Sequence, residues 1–241
     1  MDLTVLIPIH NEETKLSSQL DAFLESFDCK GGFEVILCEN GSTDSTLKMA
    51  MDAAAKYPEV EVVVSPRTGI GRALKNGFSH AKGDRIFVTG LDFPFGFAAL
   101  ADSLSVFENG KIIINSKFHS NSKIIVPIGR LVISLVYRLM LFILFGTKIR
   151  DPQGSFLVGR EEANSILKYC SSQSSFFETQ FIIYGQLLGS RIEELPVEFV
   201  SPVRSSRFNI PREIIKVTLD IIKELPIFYT NKFKFFFGQL V

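Results

Sequence analysis

Residues 33–64 read FEVILCENGSTDSTLKMAMDAAAKYPEVEVVV. The stretch opens on an almost continuous apolar run, 33–37, and closes on another, 60–64. Strands buried on both faces of a parallel sheet are apolar along their length and do not alternate. Between the runs, Gly41 permits a turn, STDST supplies the residue types that cap helix N-termini, and 42–57 carries a helical pattern. Strand, loop, helix and strand in this order form a right-handed crossover unit.

The same order extends outward on both sides. Residues 3–9 and 85–89 read as further strands, and 12–27 and 71–81 as helices. The pattern predicts an α/β fold of Rossmann-like kind, with a mostly parallel central sheet and helices on both faces. Ligands bind such sheets at the carboxyl ends of the strands. That nominates the loops at 8–12, 39–44, 65–71 and 90–95. Beyond them lie a strand at 112–116, a strand-like stretch at 194–199 and an amphipathic helix at 211–224.

The chain has 241 residues, enough for one domain with a full core. Its 26 basic and 26 acidic residues cancel. A nucleic-acid partner held by bulk charge is therefore excluded, and a mean hydropathy of +0.22 excludes disorder. Cys29, Cys38 and Cys170 share no CxxC spacing, which argues against a disulfide framework or zinc and for a reducing compartment. The opening MDLTVLIPIH reads as a first strand and not as a signal peptide. The unusual feature is 23 Phe with no Trp.

Residues 124–146 are apolar enough to raise the question of a membrane span, since about 20 residues suffice. Arg130 and Arg138 argue against crossing, at about 2.5–3.5 kcal/mol each near a helix centre. With Ser134 and Tyr137 they fall at i, i+4, i+7 and i+8, on one face. The expectation is an amphipathic helix that lies in the membrane interface or packs in the core. The tail 228–241, FYTNKFKFFFGQLV, sets five Phe beside Lys232 and Lys234 and reads as a membrane-associating segment.

Each nominated loop has a chemical and a plainer interpretation. In PIHNEE, His10 can lie against a planar base and Glu12 can accept hydrogen bonds; the plainer alternative has Asn11 capping a helix with Glu12 in its first turn. In CENGSTDST, Glu39 and Asn40 stand at the strand end, where turn chemistry alone would also place them. GIGRALKNGFSHAKGD has neither the spacing of a dinucleotide fingerprint nor a P-loop, so Gly71, Ala73 and Gly77 read as close helix–sheet packing. In TGLDFPF, Asp92 follows a buried strand. One carboxylate plus substrate phosphates is a normal way to hold Mg²⁺ or Mn²⁺.

Taken in series, PIHNEE, ENGSTDST, GIGRALKNGFSHAKGD, GLD and DPQGSF resemble the inverting A-type glycosyltransferases, above all the dolichol-phosphate mannosyl- and glucosyltransferases. The likeness runs over about residues 3–210, ending in FFETQFIIYGQLLGSRIEELPVEF. It implies a catalytic domain over 1–210, including the apolar helix 124–146, and a membrane-association segment over 211–241. It implies a nucleotide-sugar donor, a polyprenyl (dolichyl) phosphate acceptor and a peripheral seat on the cytoplasmic face of a membrane. Pro8, His10, Glu12, Glu39 and Asn40 would line the nucleoside pocket. Arg204 and Arg207 would close over the donor diphosphate. Asp92 would hold the metal, Asp151 would lie near the reacting phosphates, and Lys117, Arg130 and Ser134 would hold the acceptor phosphate.

The sequence departs from that pattern at Gly90, where the first Asp of D-x-D is expected, and at Glu39–Asn40, where paired aspartates are. Two further functions stay open on these residues. One is transfer to a glycan hydroxyl with Asp151 as base; the other is a weakened binding or scaffold protein.

Overall fold

The computed structural model describes residues 1–65, 67–200 and 210–238. In chain order the elements are β1 (Leu3–Ile9), α1 (Leu16–Ser26), β2 (Phe33–Glu39), α2 (Thr46–Lys56), β3 (Val60–Val64), α3 (Ile70–His80), β4 (Arg85–Val88), α4 (Ala98–Val106) and β5 (Lys111–Ser116). There follow β6 (Lys123–Ile125), α5 (Ile128–Phe145), β7 (Phe156–Gly159), α6 (Arg160–Leu167), α7 (Phe176–Leu187), β8 (Arg191–Pro196), β9 (Glu198–Val200) and α8 (Ile210–Gly238). Seven strands form one sheet in the order β3-β2-β1-β4-β7-β5-β8. Only β7 runs antiparallel to its neighbours. β6 and β9 pair separately as a short parallel ribbon.

Alternate residues of each central strand feed two cores, one per sheet face. Val5, Ile7, Val35 and Leu37 pack under α1, α2 and α4, with Leu20, Phe23 and Leu100. Leu6, Ile36 and Ile86 pack under α3, α6 and α7, with Leu74, Ile166 and Phe181. The phenylalanine excess goes mostly here. On the first face Phe23 stacks on Phe93 at 4.6 Å and on Phe27 at 5.1 Å. On the second, Phe181 stacks on Phe78 at 5.3 Å and Phe156 at 5.2 Å. Phe228, counted with the tail, is buried against Phe145, ring centroids 5.1 Å apart.

Several boundaries differ from expectation for local reasons. The first helix begins at Leu16, not at 12, because Asn11 sits at φ 54° and leaves the helical path. The apolar stretch 124–146 starts as β6; the helix begins at Ile128 and ends at Gly146, whose φ of 72° closes it with an N–H bond to the Phe142 carbonyl. Residues 194–199 divide between β8 and β9. The amphipathic 211–224 and the described part of the tail form one helix, α8, which runs through Pro226.

α5 and α8 each bury some apolar residues and expose others. On α5, Val132, Leu135, Val136, Leu139, Phe142 and Ile143 are exposed, while only Leu141 and Phe145 are buried. Ile215, Leu219, Ile222 and Phe233 are exposed on α8. The two helices meet where Tyr229 donates to the Leu144 carbonyl at 2.8 Å. By length and composition alone, α5 could cross a membrane.

Of the glycines expected to allow close packing, Gly77 does so against the sheet. A Cβ there would clash with Cys38 Sγ and lie 3.3 Å from Leu6 Cδ2. Gly71 instead faces the 172–174 backbone. Gly77→Ala should therefore destabilise by about 1–3 kcal/mol through overpacking, against a helix-propensity gain of about 1 kcal/mol. Urea denaturation measures it; a midpoint at or above the parent's would show that α3 lifts at no cost.

Candidate active site

Because β1 to β5 run parallel, their following loops gather at one sheet edge; β7, running the other way, brings the start of its strand to the same edge. Thr89 Oγ1 and Ser155 Oγ, 2.9 Å apart, join the two sides. The site thus has two halves, one on β1–β3 and one on β5–β7.

In the β1–β3 half, the first two loops are laced together. Ser42 Oγ accepts the Asn11 N–H at 3.1 Å and Thr46 Oγ1 the Glu12 N–H at 2.7 Å. Asn11 Oδ1 accepts the Thr43 N–H at 2.8 Å, and Glu13 the Ser45 N–H at 3.0 Å. Asn11 is therefore no helix cap, and most of the STDST side chains hold the neighbouring loop. Asp44 does both, accepting the Glu13 N–H at 3.4 Å and, locally, the Thr46 N–H at 2.9 Å. Glu39 is buried and accepts the Ser42 N–H at 2.5 Å; Asn40 Oδ1 accepts the Gly69 N–H at 2.5 Å. Both side chains thus brace the loops after β2 and β3. His10 is exposed, its Nδ1 3.0 Å from the Asn40 carbonyl, a geometry that fixes the ring plane at the loop junction. Pro8 is half-buried in β1, and among the described residues the half-buried Glu12 carboxylate has no partner.

Between the halves stands Asp92, exposed at the tip of a turn closed by the Phe93 N–H on the Gly90 carbonyl at 3.0 Å. Phe93 sits at φ 39°, a conformation that costs about 1–3 kcal/mol for such a residue. Its ring, stacked on Phe23 and edge-on to Phe97 at 4.8 Å, holds it there and leaves Asp92 at the sheet edge. A Cβ at Gly90 would lie 3.1 Å from Asp92 Oδ1. Among the described residues no three His, Cys, Asp or Glu cluster in a metal-binding group. Asp92 fits a cation only in the manner of Mg²⁺, with one protein carboxylate and the other ligands from diphosphate and water.

The β5–β7 half is denser in ionisable groups. Asp151 is buried; its Oδ2 accepts the Lys117 N–H at 2.9 Å and lies 3.5 Å from Lys117 Nζ. Burial raises its carboxyl above the usual range, and the Lys117 charge opposes that. Glu194 supports the turn by accepting the Arg150 and Asp151 N–H groups at 3.0 and 3.1 Å. Lys117 Nζ also lies 5.9 and 5.6 Å from the Phe95 and Phe199 ring centroids.

The polar face of α5 closes this half. Ser134, Tyr137 and Arg138 line a cavity of about 50 Å³ together with Lys117, Arg150 and Asp151. Tyr137 bonds Thr179 Oγ1 at 2.8 Å, and the Arg138 guanidinium lies 4.8 Å from the Phe118 ring centroid. Arg130 lies one turn before Ser134, half-buried and outside the cavity lining. Arg204 and Arg207 lie outside the described residues.

Glu178, in the first turn of α7, is the residue that sequence reasoning left without a role. Burial pushes its carboxyl up to about 7; the Lys117 charge lowers it and Asp151 raises it. Perturbed, mutually coupled carboxylates in a cleft mark functional sites. The available signal was its place in FFETQF, an acid at a helix start directly after two buried Phe.

Residues 4–165 match the family described as Glycosyl transferase family 2. The chain belongs to this family. Family membership makes it a glycosyltransferase, with the A-type fold that its sheet order displays. Among curated relatives it is 27% identical, over 92% of its length and 72% of theirs, to a dolichyl-phosphate beta-glucosyltransferase of Trichomonas vaginalis. It is also 27% identical to the dolichyl-phosphate beta-glucosyltransferase of Mus musculus, over 82% of this chain and 67% of that protein. Among solved structures, glucosyl-3-phosphoglycerate synthase from Mycobacterium tuberculosis, in complex with Mn²⁺, UDP and glucosyl-3-phosphoglycerate, superposes at a TM-score of 0.67. It is 20% identical, covering 93% of this chain and 80% of that one. For a family 2 transferase, the scaffold reading prompted by Gly90 has no independent support.

Proposed function

We propose that this glycosyltransferase moves a sugar from a nucleotide-sugar donor to a polyprenyl phosphate of the dolichyl kind, with inversion, while seated on a membrane surface. The observation that carries this reading is the two-faced helix α5. Its polar residues Ser134, Tyr137 and Arg138 join Lys117 at one cavity, while its apolar residues face outward. A phosphate head can reach that cavity while its lipid tail follows the outer face of the helix. The dolichyl-phosphate transferases among its relatives support the acceptor class. Three free cysteines suit a reducing compartment and hence the cytoplasmic side.

The chemistry asks little of general base catalysis, because a lipid phosphate is anionic at neutral pH. Lys117 with Arg130, Ser134 and Arg138 orients the acceptor oxygen and offsets repulsion between two anions. Asp151 holds Lys117 in place from below. Pro8, His10, Glu12, Glu39 and Asn40 form the nucleoside side, and Arg204 and Arg207 are assigned to the leaving diphosphate. Mg²⁺ or Mn²⁺, held by Asp92 and the diphosphate, would neutralise charge on the leaving group. In-line attack at the anomeric carbon inverts it. Residues 1–210 act as the catalytic unit, and 211–241 add to the membrane seat.

The deciding assay incubates the protein with radiolabelled nucleotide sugars and dolichyl phosphate, and counts label in the organic phase. Label is expected with one donor; none with any common donor, with or without Mn²⁺, would overturn the reading.

Glu178 favours one alternative, transfer to a hydroxyl with a carboxylate as base, and pH separates the two. With its carboxyl near 7, Glu178 is neutral below and charged above that pH. A charged Glu178 repels a phosphate, so the acceptor KM should rise about tenfold between pH 6.5 and 8.5, and Glu178→Gln should flatten the rise. If kcat instead climbs through pH 7 and Glu178→Gln abolishes it, the hydroxyl-acceptor mechanism holds.

A further inference from the structure

The serine-rich run 171–175, SSQSS, has no part in the chemistry above, yet it joins α8 to the β1–β3 half of the site. Asp220 lies on the inner side of α8, between the exposed Leu219 and Ile222 by position. Its Oδ2 accepts from Ser172 Oγ at 3.1 Å and Ser174 Oγ at 2.5 Å. One turn on, the buried Glu224 accepts from Gln180 Nε2 at 2.6 Å and the Tyr184 hydroxyl at 2.5 Å. Gln180 in turn accepts the Ser171 and Ser172 N–H groups at 3.0 and 2.9 Å. Two carboxylates of α8 therefore grip the serine run, one directly and one through Gln180.

Gln173, between the two serines bound by Asp220, contacts the loop after β3. Its carbonyl accepts the Gly71 N–H at 3.1 Å, and its side chain accepts from Arg72. The approach is close enough to demand glycine. A Cβ at Gly69, where φ is 153°, would lie 2.7 Å from the Gln173 carbonyl oxygen. One at Gly71 would lie 2.7 and 2.9 Å from the Ser172 and Ser174 carbonyl oxygens. The Gly69 N–H then reaches Asn40 Oδ1 at 2.5 Å, and the Asn40 carbonyl lies 3.0 Å from His10 Nδ1. Hydrogen bonds joined by short stretches of main chain thus lead from α8 to the loops after β1 and β2.

We propose that Asp220 is a positioning residue for the loop 67–71, acting through 172–174, so that the seating of α8 sets how firmly the donor nucleotide is held. The proposal rests on the donor assignment made above. The physical cause is a hydroxyl pair fixed by one carboxylate. Ser174 Oγ donates to Asp220 while accepting the Phe176 N–H at 3.1 Å, which fixes the turn that aims the Gln173 carbonyl at Gly71. Without the carboxylate, both hydroxyls reorient and the carbonyl loses its aim. A contiguous set of bonded groups of this kind is a physical route for coupling.

Two measurements test it. By hydrogen exchange in the full chain, Asp220→Ala should speed the Gly69 and Gly71 amides about tenfold, as expected for losing bonds to a charged group, while β1 and β2 amides stay as protected as before. By calorimetry, affinity for UDP or GDP should fall about fivefold, with kcat at saturating donor unchanged. Ser174→Ala should reproduce the pattern and Asp220→Asn give an intermediate one. Those two variants decide the matter if Asp220→Ala unfolds the protein. Unchanged exchange at Gly69 and Gly71, or faster exchange with unchanged nucleotide affinity, overturns the proposal. If the parent protein binds neither nucleotide, the donor assignment fails, and the exchange arm alone still decides whether α8 governs the loop.

Discussion

Asp92→Asn is expected to lower kcat for sugar transfer by about 10²–10³, the usual cost of removing one preorganised group that stabilises developing charge. Asparagine is nearly isosteric, and the turn depends on the Phe93 N–H, the Gly90 carbonyl and the stacked Phe93 ring, not on the Asp92 side chain. What is lost is the charge that the sheet edge offers a diphosphate-bound cation. Initial rates against Mn²⁺ concentration should show a low plateau that added metal does not restore. Gly90→Asp is the converse test. Its Cβ would lie 3.1 Å from Asp92 Oδ1, and the exposed Asp92 side chain can yield that space. Paired carboxylates should lower the Mn²⁺ concentration for half-maximal rate about tenfold, through one more charged ligand. Asp92→Asn retaining a third or more of the parent rate would remove Asp92 from diphosphate stabilisation.

The parallel half of the fold was legible because burial on both sheet faces leaves no alternation: 3–9 and 60–64 fall on the observed strands. Helix starts were less legible. Ser, Thr and Asp have the same local chemistry whether they cap their own helix or bind another loop. STDST looks like a cap, and only the fold brings Asn11 and Glu12 within its reach. The candidate site was legible where residues sit at strand ends: Asp92, Lys117 and Asp151 lie along one sheet edge because topology puts every such end there. Glu178 and Arg138 were harder. Each lies on a helix whose rotation about its axis, set by packing of Tyr137 on Thr179, decides what it faces. Phe228 misled for a related reason. Composition registers apolar surface but not its direction, so Phe228 counts with the tail in sequence and with the core in space.

The second large effect is expected from Lys117→Ala, which should lower kcat/KM for the acceptor by about 10²–10³. The main-chain N–H of residue 117 keeps its bond to Asp151 in the variant, so the loss falls on the side-chain charge. The variant also changes how the neighbouring carboxyls titrate. Lys117 lowers both Asp151 and Glu178, so its removal raises both further, and Glu178 moves above about 7. The sign follows from linkage. A carboxyl whose folded value lies above its unfolded one loses stability as pH rises through the folded value, and the loss grows with the gap. The variant should therefore lose more stability relative to the parent at pH 8 than at pH 6, as urea midpoints at both values would show. Lys117→Arg should restore the stability profile, because the charge returns, but only part of the rate, because a planar fork replaces a point charge. A kinetic cost below tenfold with the stability shift intact would separate the two roles of Lys117. It would leave Lys117 as the counter-charge of Asp151 and Glu178, and pass the acceptor phosphate to the α5 residues Arg130, Ser134 and Arg138.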